Sequence, residues 1–146
     1  MSFHAKAQVR INKPISEVFD AVVNPNKISK YFVSAASAAM IEGTIVTWSW
    51  ADIGASGTVY VEKVEQDSRI VFQWCASAPN SYVELTFESL ADGATKVSAK
   101  ETGDWTFDVA SVDAACEQTG GWMHMFLCMK AHLEFGINLR EGSVCK

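Results

Sequence analysis

The spacing of apolar residues changes twice along the chain, from helical to strand-like and back again. Residues 3–11 alternate weakly between apolar and polar, which predicts a strand. Apolar residues at positions 15, 18, 19, 22 and 23 then follow helical spacing, with Pro14 suited to the first turn and Asn24-Pro25-Asn26 ending the helix. We expect a second short helix over residues 27–32.

From about residue 35 to residue 102, apolar positions alternate with polar ones, which is typical of strands with one buried face. The positions expected to face the core are Val46, Trp48 and Trp50, then Val59 and Val61, then Ile70, Phe72 and Trp74, then Val83, Leu85 and Phe87, and finally Val97 and Ala99. Turn-forming residues at 54–57, 66–68, 78–80 and 92–93 separate these strands. Such short turns predict antiparallel pairing.

The last part of the chain returns to helical spacing. One apolar stripe runs through Trp122, Met125, Phe126, Met129 and Leu133 and continues through Gly136 and Ile137. This predicts a long helix over residues 122–139, with Gly142 as its stop. Because glycine weakens a helix interior, Gly120-Gly121 predicts a break or a close backbone approach.

These elements define a fold class. A sheet with one apolar face must bury that face, and the final helix is the only predicted element large enough to cover it. The expected fold is α+β: a curved antiparallel sheet wrapped around a long C-terminal helix, with two short helices after the first strand. No linker, repeat or low-complexity segment appears, so residues 1–146 are expected to form a single domain.

Composition and charge narrow the function. Apolar residues make up 49% of the chain, charged residues make up 20%, and the net charge is -5. Without a cluster of lysine or arginine, nucleic acid and anionic membrane surfaces are not expected partners. No apolar run is long enough for a membrane span and no signal peptide is evident, so the cytoplasm is the expected location. Four cysteines, Cys75, Cys116, Cys128 and Cys145, are expected to be free thiols, and their spacing fits no structural zinc site.

Three segments resemble a known family. They are residues 13–21, Gly57-Thr58-Val59 with residues 69–74, and Gly121-Trp122 leading to residues 133–136. The chain is similar to the START-like (SRPBCC) helix-grip superfamily, in the branch related to the activator of the heat-shock chaperone ATPase. The resemblance implies a helix-grip fold, in a superfamily that includes lipid carriers, hydrophobic-ligand receptors and cyclases. It carries no catalytic motif that can be transferred residue by residue.

Aromatic and methionine side chains on the predicted inner faces suggest a binding wall. Five tryptophans are difficult to pack at full density under one helix, and each buried indole N–H needs an acceptor. We therefore predict an apolar cavity between sheet and helix, although any single residue is expected to pack in the core more often than to touch a ligand. The predicted ligand-binding set is Trp48, Trp50, Phe72, Trp74, Phe87, Trp122, Met125, Phe126 and Met129.

Polar candidates for chemistry are few. Glu101 shares the strand parity of Val97 and Ala99, but carboxylates are seldom buried, so we expect it to face solvent at a strand end. Glu101 and His124 are the two weak catalytic candidates, and Tyr60, Tyr82, Asp52 and Asp104 are further polar groups near loops. His124, Cys128 and His132 recur every four residues on one helix, yet the outer two are too far apart to share an ion. Neither a metal nor another cofactor is predicted, and the thiols of Cys116 and Cys128 are expected to be inert.

Three classes of function stay open. The leading prediction is binding of a small hydrophobic molecule in the cavity, without catalysis. The first alternative is a module that interacts with a chaperone or another protein. The second alternative is a pocket enzyme of the cyclase, dehydratase or hydrolase type, which needs a buried acid, histidine or arginine facing the cavity.

Overall fold

The computed structural model describes residues 3–74 and 80–145. Its strands are β1 (Ala5–Ile11), β2 (Ala35–Ala36), β3 (Ile45–Trp50), β4 (Ala55–Glu65), β5 (Arg69–Trp74), β6 (Ser81–Ser89) and β7 (Thr95–Thr102). Its helices are α1 (Ile15–Val23), α2 (Pro25–Ile28) and α3 (Val109–Phe135). Within these residues the strands form one sheet in the order β1-β7-β6-β5-β4-β3-β2, and every neighbouring pair is antiparallel.

The predicted alternation matches the inner face of the sheet. On β5 and β6 every second residue is buried, from Ile70 to Trp74 and from Val83 to Phe87. Trp50 departs from the prediction because it is only half-buried at the end of β3. The predicted turn at residues 54–57 is wrong, since the chain turns at residues 51–54 and Gly57 pairs with Trp48 inside the sheet.

The first strand and the short helices close one side of the sheet. Val18 and Phe19 of α1 are buried, and the ring of Phe19 meets that of Phe87 edge to face at 5.0 Å. Asn24 ends α1 and also caps α2, since its side chain accepts a hydrogen bond from the N–H of Asn26. The second helix is shorter than predicted and ends at Ile28, with residues 29–32 forming a turn.

The boundaries of α3 differ from the prediction. The helix begins at Val109 after the capping residue Asp108, whose carboxylate accepts from the N–H of Ser111 at 2.8 Å. Gly120 and Gly121 therefore lie inside the helix and neither break it nor approach another backbone. The helix ends before Gly136, earlier than predicted.

The ending at Gly136 has a local cause. Gly136 adopts a left-handed conformation with φ of 66°, which a residue with a side chain rarely takes. The N–H groups of Gly136 and Ile137 donate to the carbonyls of His132 and Ala131, the pattern of a Schellman cap. The 27 residues of α3 span about 40 Å, so the helix covers the inner face of the sheet and extends beyond it.

The fold class is confirmed: a curved antiparallel sheet wraps around the long C-terminal helix, and two short helices follow the first strand. Met125, Phe126 and Met129 of α3 are fully buried against the sheet. In the part of the chain that the structure describes, no helix is both long and apolar enough to cross a membrane.

The cysteines within the described residues are free. Cys116 and Cys145 are exposed, and Cys128 is buried in the core. Burial raises the pKa of the Cys128 thiol, which disfavours its reactive thiolate form. Cys75 and the first two residues of the predicted turn at 78–80 lie outside the described residues.

Alanine should have opposite effects at two glycines, one inside α3 and the other directly after it. Gly120→Ala should raise the free energy of unfolding by about 0.5–1 kcal/mol, because Gly120 is in mid-helix with no atom near the added methyl group. Gly136→Ala should lower it by about 1 kcal/mol or more, because alanine is strained at a positive φ. Urea unfolding of both variants checks the signs, and destabilisation by Gly120→Ala would contradict the helix described here.

Candidate ligand-binding cavity

A cavity of about 690 Å³ lies between the β3–β4 end of the sheet and the middle of α3. The half-exposed side chains of Ile53 and Tyr60 contribute to it, so the cavity reaches the surface there. The chain segment after α3 also contributes, through Arg140. Its lining consists of Phe32, Trp50, Ile53, Ala55, Ser56, Gly57, Thr58, Tyr60, Trp74, Gln118, Gly121, Trp122, His124 and Arg140.

Four aromatic rings form one wall of the cavity. The rings of Trp74 and Trp122 lie 5.2 Å apart, so β5 and α3 meet there. Trp50 lies 6.4 Å from Trp74, and Phe32 contacts both Trp50 and Trp122 at 5.5 and 6.4 Å. These separations are those of favourable aromatic pairs, and we call the four residues Phe32, Trp50, Trp74 and Trp122 the aromatic wall.

The carboxylate of Glu101 lies behind the aromatic wall and binds two of its rings. Its Oε1 accepts from Trp122 Nε1 at 2.8 Å and from Gln118 Nε2 at 2.9 Å. Its Oε2 accepts from Trp74 Nε1 at 3.3 Å and from the hydroxyl of Ser81. With four donors from the described residues directed at its two oxygens, this buried carboxylate has the hydrogen-bond partners that burial demands.

The expectation that Glu101 faces solvent is wrong. Glu101 is 0% exposed, and its side chain points to the inner face of the sheet, as those of Val97 and Ala99 do. The general rarity of buried carboxylates does not apply here because donors from β5, β6 and α3 converge on it. Glu101 is not part of the cavity lining, although Trp74, Trp122 and Gln118, which donate to it, are.

An ion pair holds the segment after α3 over the end of β3. Arg140 donates from Nε to Asp52 Oδ2 at 2.9 Å and from a terminal nitrogen to Oδ1 at 3.3 Å. The guanidinium also lies 5.9 Å from the centre of the Phe32 ring, within cation–π range. The hydrogen bond from Arg140 lowers the pKa of Asp52, so the carboxylate stays charged and balances the arginine.

His124 lines the same side of the cavity. Its Nε2 lies 2.9 Å from the hydroxyl of Ser143 and 3.5 Å from Cys128 Sγ. Burial lowers the pKa of His124, and the nearby positive charge of Arg140 lowers it further while Asp52 opposes them. A neutral imidazole at ordinary pH therefore adds no net charge to the cavity.

The predicted ligand-binding residues divide into two groups. Trp50, Trp74 and Trp122 line the cavity. The others are buried in the core and are not among its lining: Trp48, Phe72, Phe87, Met125, Phe126 and Met129. Strand parity and the helical stripe place both groups between the sheet and α3, but of the nine only Trp50, Trp74 and Trp122 border the cavity.

The remaining polar candidates are scattered. Tyr60 lines the cavity with a half-exposed ring, whereas Tyr82 is exposed elsewhere on the sheet. Asp104 accepts a hydrogen bond from Asn80 at 2.9 Å. His132 stacks on Tyr31 at 6.2 Å, away from the contacts of His124. Among the described residues no group of three or more histidine, cysteine, aspartate or glutamate side chains is placed to hold a metal ion.

Several lining residues were not predicted from the sequence. Phe32 comes from the turn after α2, Gln118 and Gly121 come from the half of α3 that was not predicted, and Arg140 comes from the segment beyond the helix. Of these residues, only Gly121 stood out in the sequence, because two consecutive glycines are unusual in a helix. In the structure, the missing side chain of Gly121 leaves space beside the helix.

The fold and the aromatic-walled cavity define a START-like helix-grip protein. The chain belongs to the family of Activator of Hsp90 ATPase homolog 1-like proteins, whose profile matches residues 12–134. This confirms the resemblance found in the sequence.

Solved structures of similar fold agree. A protein from Staphylococcus saprophyticus is 28% identical, with a TM-score of 0.82 over 94% of this chain and 96% of that chain. The Aha1 dimer from Colwellia psychrerythraea is 15% identical, with a TM-score of 0.78 over 92% of this chain and 98% of that chain. A putative protein in the dynemicin biosynthetic locus is 23% identical, with a TM-score of 0.81 over 92% of this chain but 48% of that chain. No curated protein is significantly similar to the chain.

The position of Glu101 predicts a large cost for its replacement. Glu101→Met should lower the free energy of unfolding by about 3 kcal/mol or more, because two buried indole N–H groups lose their acceptor. Glu88→Met makes the same change at a largely exposed carboxylate 3.6 Å from Lys96, and should stay within about 0.5 kcal/mol of the parent. Equal effects of the two substitutions in chemical denaturation would contradict the structural role of Glu101.

Proposed function

We propose that this protein binds a small hydrophobic molecule in the cavity beside the aromatic wall. The observation that carries the proposal is the direction of the indole N–H groups of Trp74 and Trp122. Both donate to Glu101 behind the wall. The N–H groups of these two indoles are thereby occupied, and the carbon surfaces of their rings are left for a ligand.

The dimensions support a ligand of moderate size. A volume of about 690 Å³ falls within the range of ordinary small-molecule sites, roughly 300–1,000 Å³. The flat aromatic rings favour a flat or apolar molecule. Each Å² of apolar surface that is removed from water contributes about 25 cal/mol to the binding free energy. Binding requires no charge on the ligand, since the one arginine of the lining is paired with Asp52.

The cavity walls are held in place before any ligand arrives. Trp74 and Trp122 are fixed by Glu101, and the segment bearing Arg140 is fixed by Asp52. A preformed site loses little conformational freedom on binding, which favours affinity.

The enzyme alternative has less support. Among the described residues four donors already occupy Glu101, and it is not one of the residues that line the cavity. His124 lines the cavity, but Ser143 occupies its Nε2. A general acid or base needs a group within hydrogen-bond reach of the reacting atom.

A protein partner is the second candidate function. The family description names activation of the Hsp90 ATPase, and three apolar side chains near the start of α3 are exposed, Phe107, Val109 and Val112. An unchanged ATPase rate of purified Hsp90 on addition of this protein would count against a chaperone partner. The cytoplasmic location stays a prediction.

Gly121 and Gly120 allow a matched test of the cavity. Gly121 lines the cavity and Gly120 does not, although both lie in α3 with open space at the position of a Cβ atom. Gly121→Leu should weaken binding of 2-methoxynaphthalene about tenfold or more, because the leucine side chain occupies ligand space. Gly120→Leu makes the same change in helix propensity and should leave the affinity unaltered.

Calorimetric titration of the parent and both variants measures these affinities. Equal affinities for the two variants would move the ligand site elsewhere, and no binding by the parent protein would count against the proposed function. Native mass spectrometry of freshly purified protein complements the titration, since a co-purified molecule would reveal the natural ligand.

A further inference from the structure

We propose that Gln118 makes the cavity selective for neutral aromatic molecules that carry a hydroxyl group, an inference that rests on the proposed function. Gln118 is a half-buried residue of α3 that lines the cavity one helical turn before Trp122. Its side chain therefore meets the edge of the aromatic wall, where an apolar ligand would place a polar substituent.

Glu101 determines which end of the Gln118 amide is available. A carboxylate accepts hydrogen bonds and does not donate them, so the amide must direct its nitrogen toward Glu101. The distance from Gln118 Nε2 to Glu101 Oε1 is 2.9 Å, and Trp122 donates to the same oxygen. The amide oxygen, Oε1, is consequently the end that remains for other partners.

This oxygen is an open acceptor. Among the described residues no group donates to Gln118 Oε1, and the atom is not sealed from solvent. The two other strongly polar groups on this side are already engaged: Arg140 with Asp52, and His124 with Ser143. Gln118 thus offers a ligand an amide acceptor beside the aromatic wall, in addition to the hydroxyls of Ser56, Thr58 and Tyr60 elsewhere in the lining.

The chemistry of an open acceptor indicates which ligands fit. A hydroxyl can donate to Oε1, whereas an ether or a ketone cannot. A carboxylate ligand would be repelled, because it would meet the acceptor Oε1 and the nearby carboxylate of Glu101. Arg140 would not offset this repulsion, because its charge is balanced by Asp52. An ammonium could donate, but it would lose its hydration in an apolar cavity. A neutral aromatic molecule with a hydroxyl group can pack its ring on the aromatic wall and donate a hydrogen bond to Gln118 Oε1.

Two naphthalenes that differ by one donor test the inference. At neutral pH, 2-naphthol carries a hydroxyl, while 2-methoxynaphthalene has the same ring and no donor. The parent protein should bind 2-naphthol about fivefold more tightly, the preference expected from one hydrogen bond. Gln118→Met removes the acceptor and keeps a side chain of similar length, so the ratio of the two affinities should fall to about one.

A control substitution and a folding check accompany this measurement. Gln8→Met makes the same change on the exposed side of β1, away from the cavity lining, and should keep the parent's ratio. Thermal unfolding shows that each variant is folded, and Gln118→Leu supplies a second apolar replacement.

The measurements distinguish a failure of the Gln118 hydrogen bond from a failure of ligand binding as a whole. A parent protein that binds both compounds equally, or a Gln118→Met variant that keeps the preference, would overturn the role of Gln118 while leaving an apolar site intact. Failure of the parent protein to bind either compound would instead overturn the proposed function, and this inference with it.

Discussion

The hydrogen bonds of one buried carboxylate connect the sheet, the long helix and the cavity. Glu101 lies on β7, and its donors come from β5, β6 and α3. A carboxylate removed from water is costly unless its oxygens are satisfied, so these elements are stable together in this arrangement and less stable apart. The same bonds orient the indoles of Trp74 and Trp122, which is why the wall presents carbon to the cavity.

Much of the fold could be predicted from the sequence because burial leaves a periodic trace. The alternation on β5 and β6 predicted both the strands and the residues that face inward. The first half of α3 left no such trace, since Ala115 is its only buried residue before Trp122. A helical segment that extends past the core has no apolar stripe, and its glycine pair suggested an interruption where the helix is continuous.

The candidate site was less predictable for a different reason. Strand parity placed Glu101 on the inner face of the sheet. The donors that make its burial favourable lie on strands and a helix that are distant in sequence, so no local pattern predicts them. Parity also cannot distinguish a ring that packs from a ring that borders open space, so Trp48 and Trp50 looked alike although the first is sealed in the core. Phe32 and Arg140 come from irregular segments, where periodicity carries no information.

The sheet order has a consequence for how the molecule is made. The first strand, β1, pairs along its length with β7, although five other strands lie between them in the sequence. Contacts of such long range slow folding, because the intervening chain must be ordered before the two strands are held together. During synthesis on the ribosome, β1 emerges early and must wait without its partner until nearly the whole domain has been translated. Chaperones that hold exposed strand edges therefore have a long interval in which to act on this nascent chain.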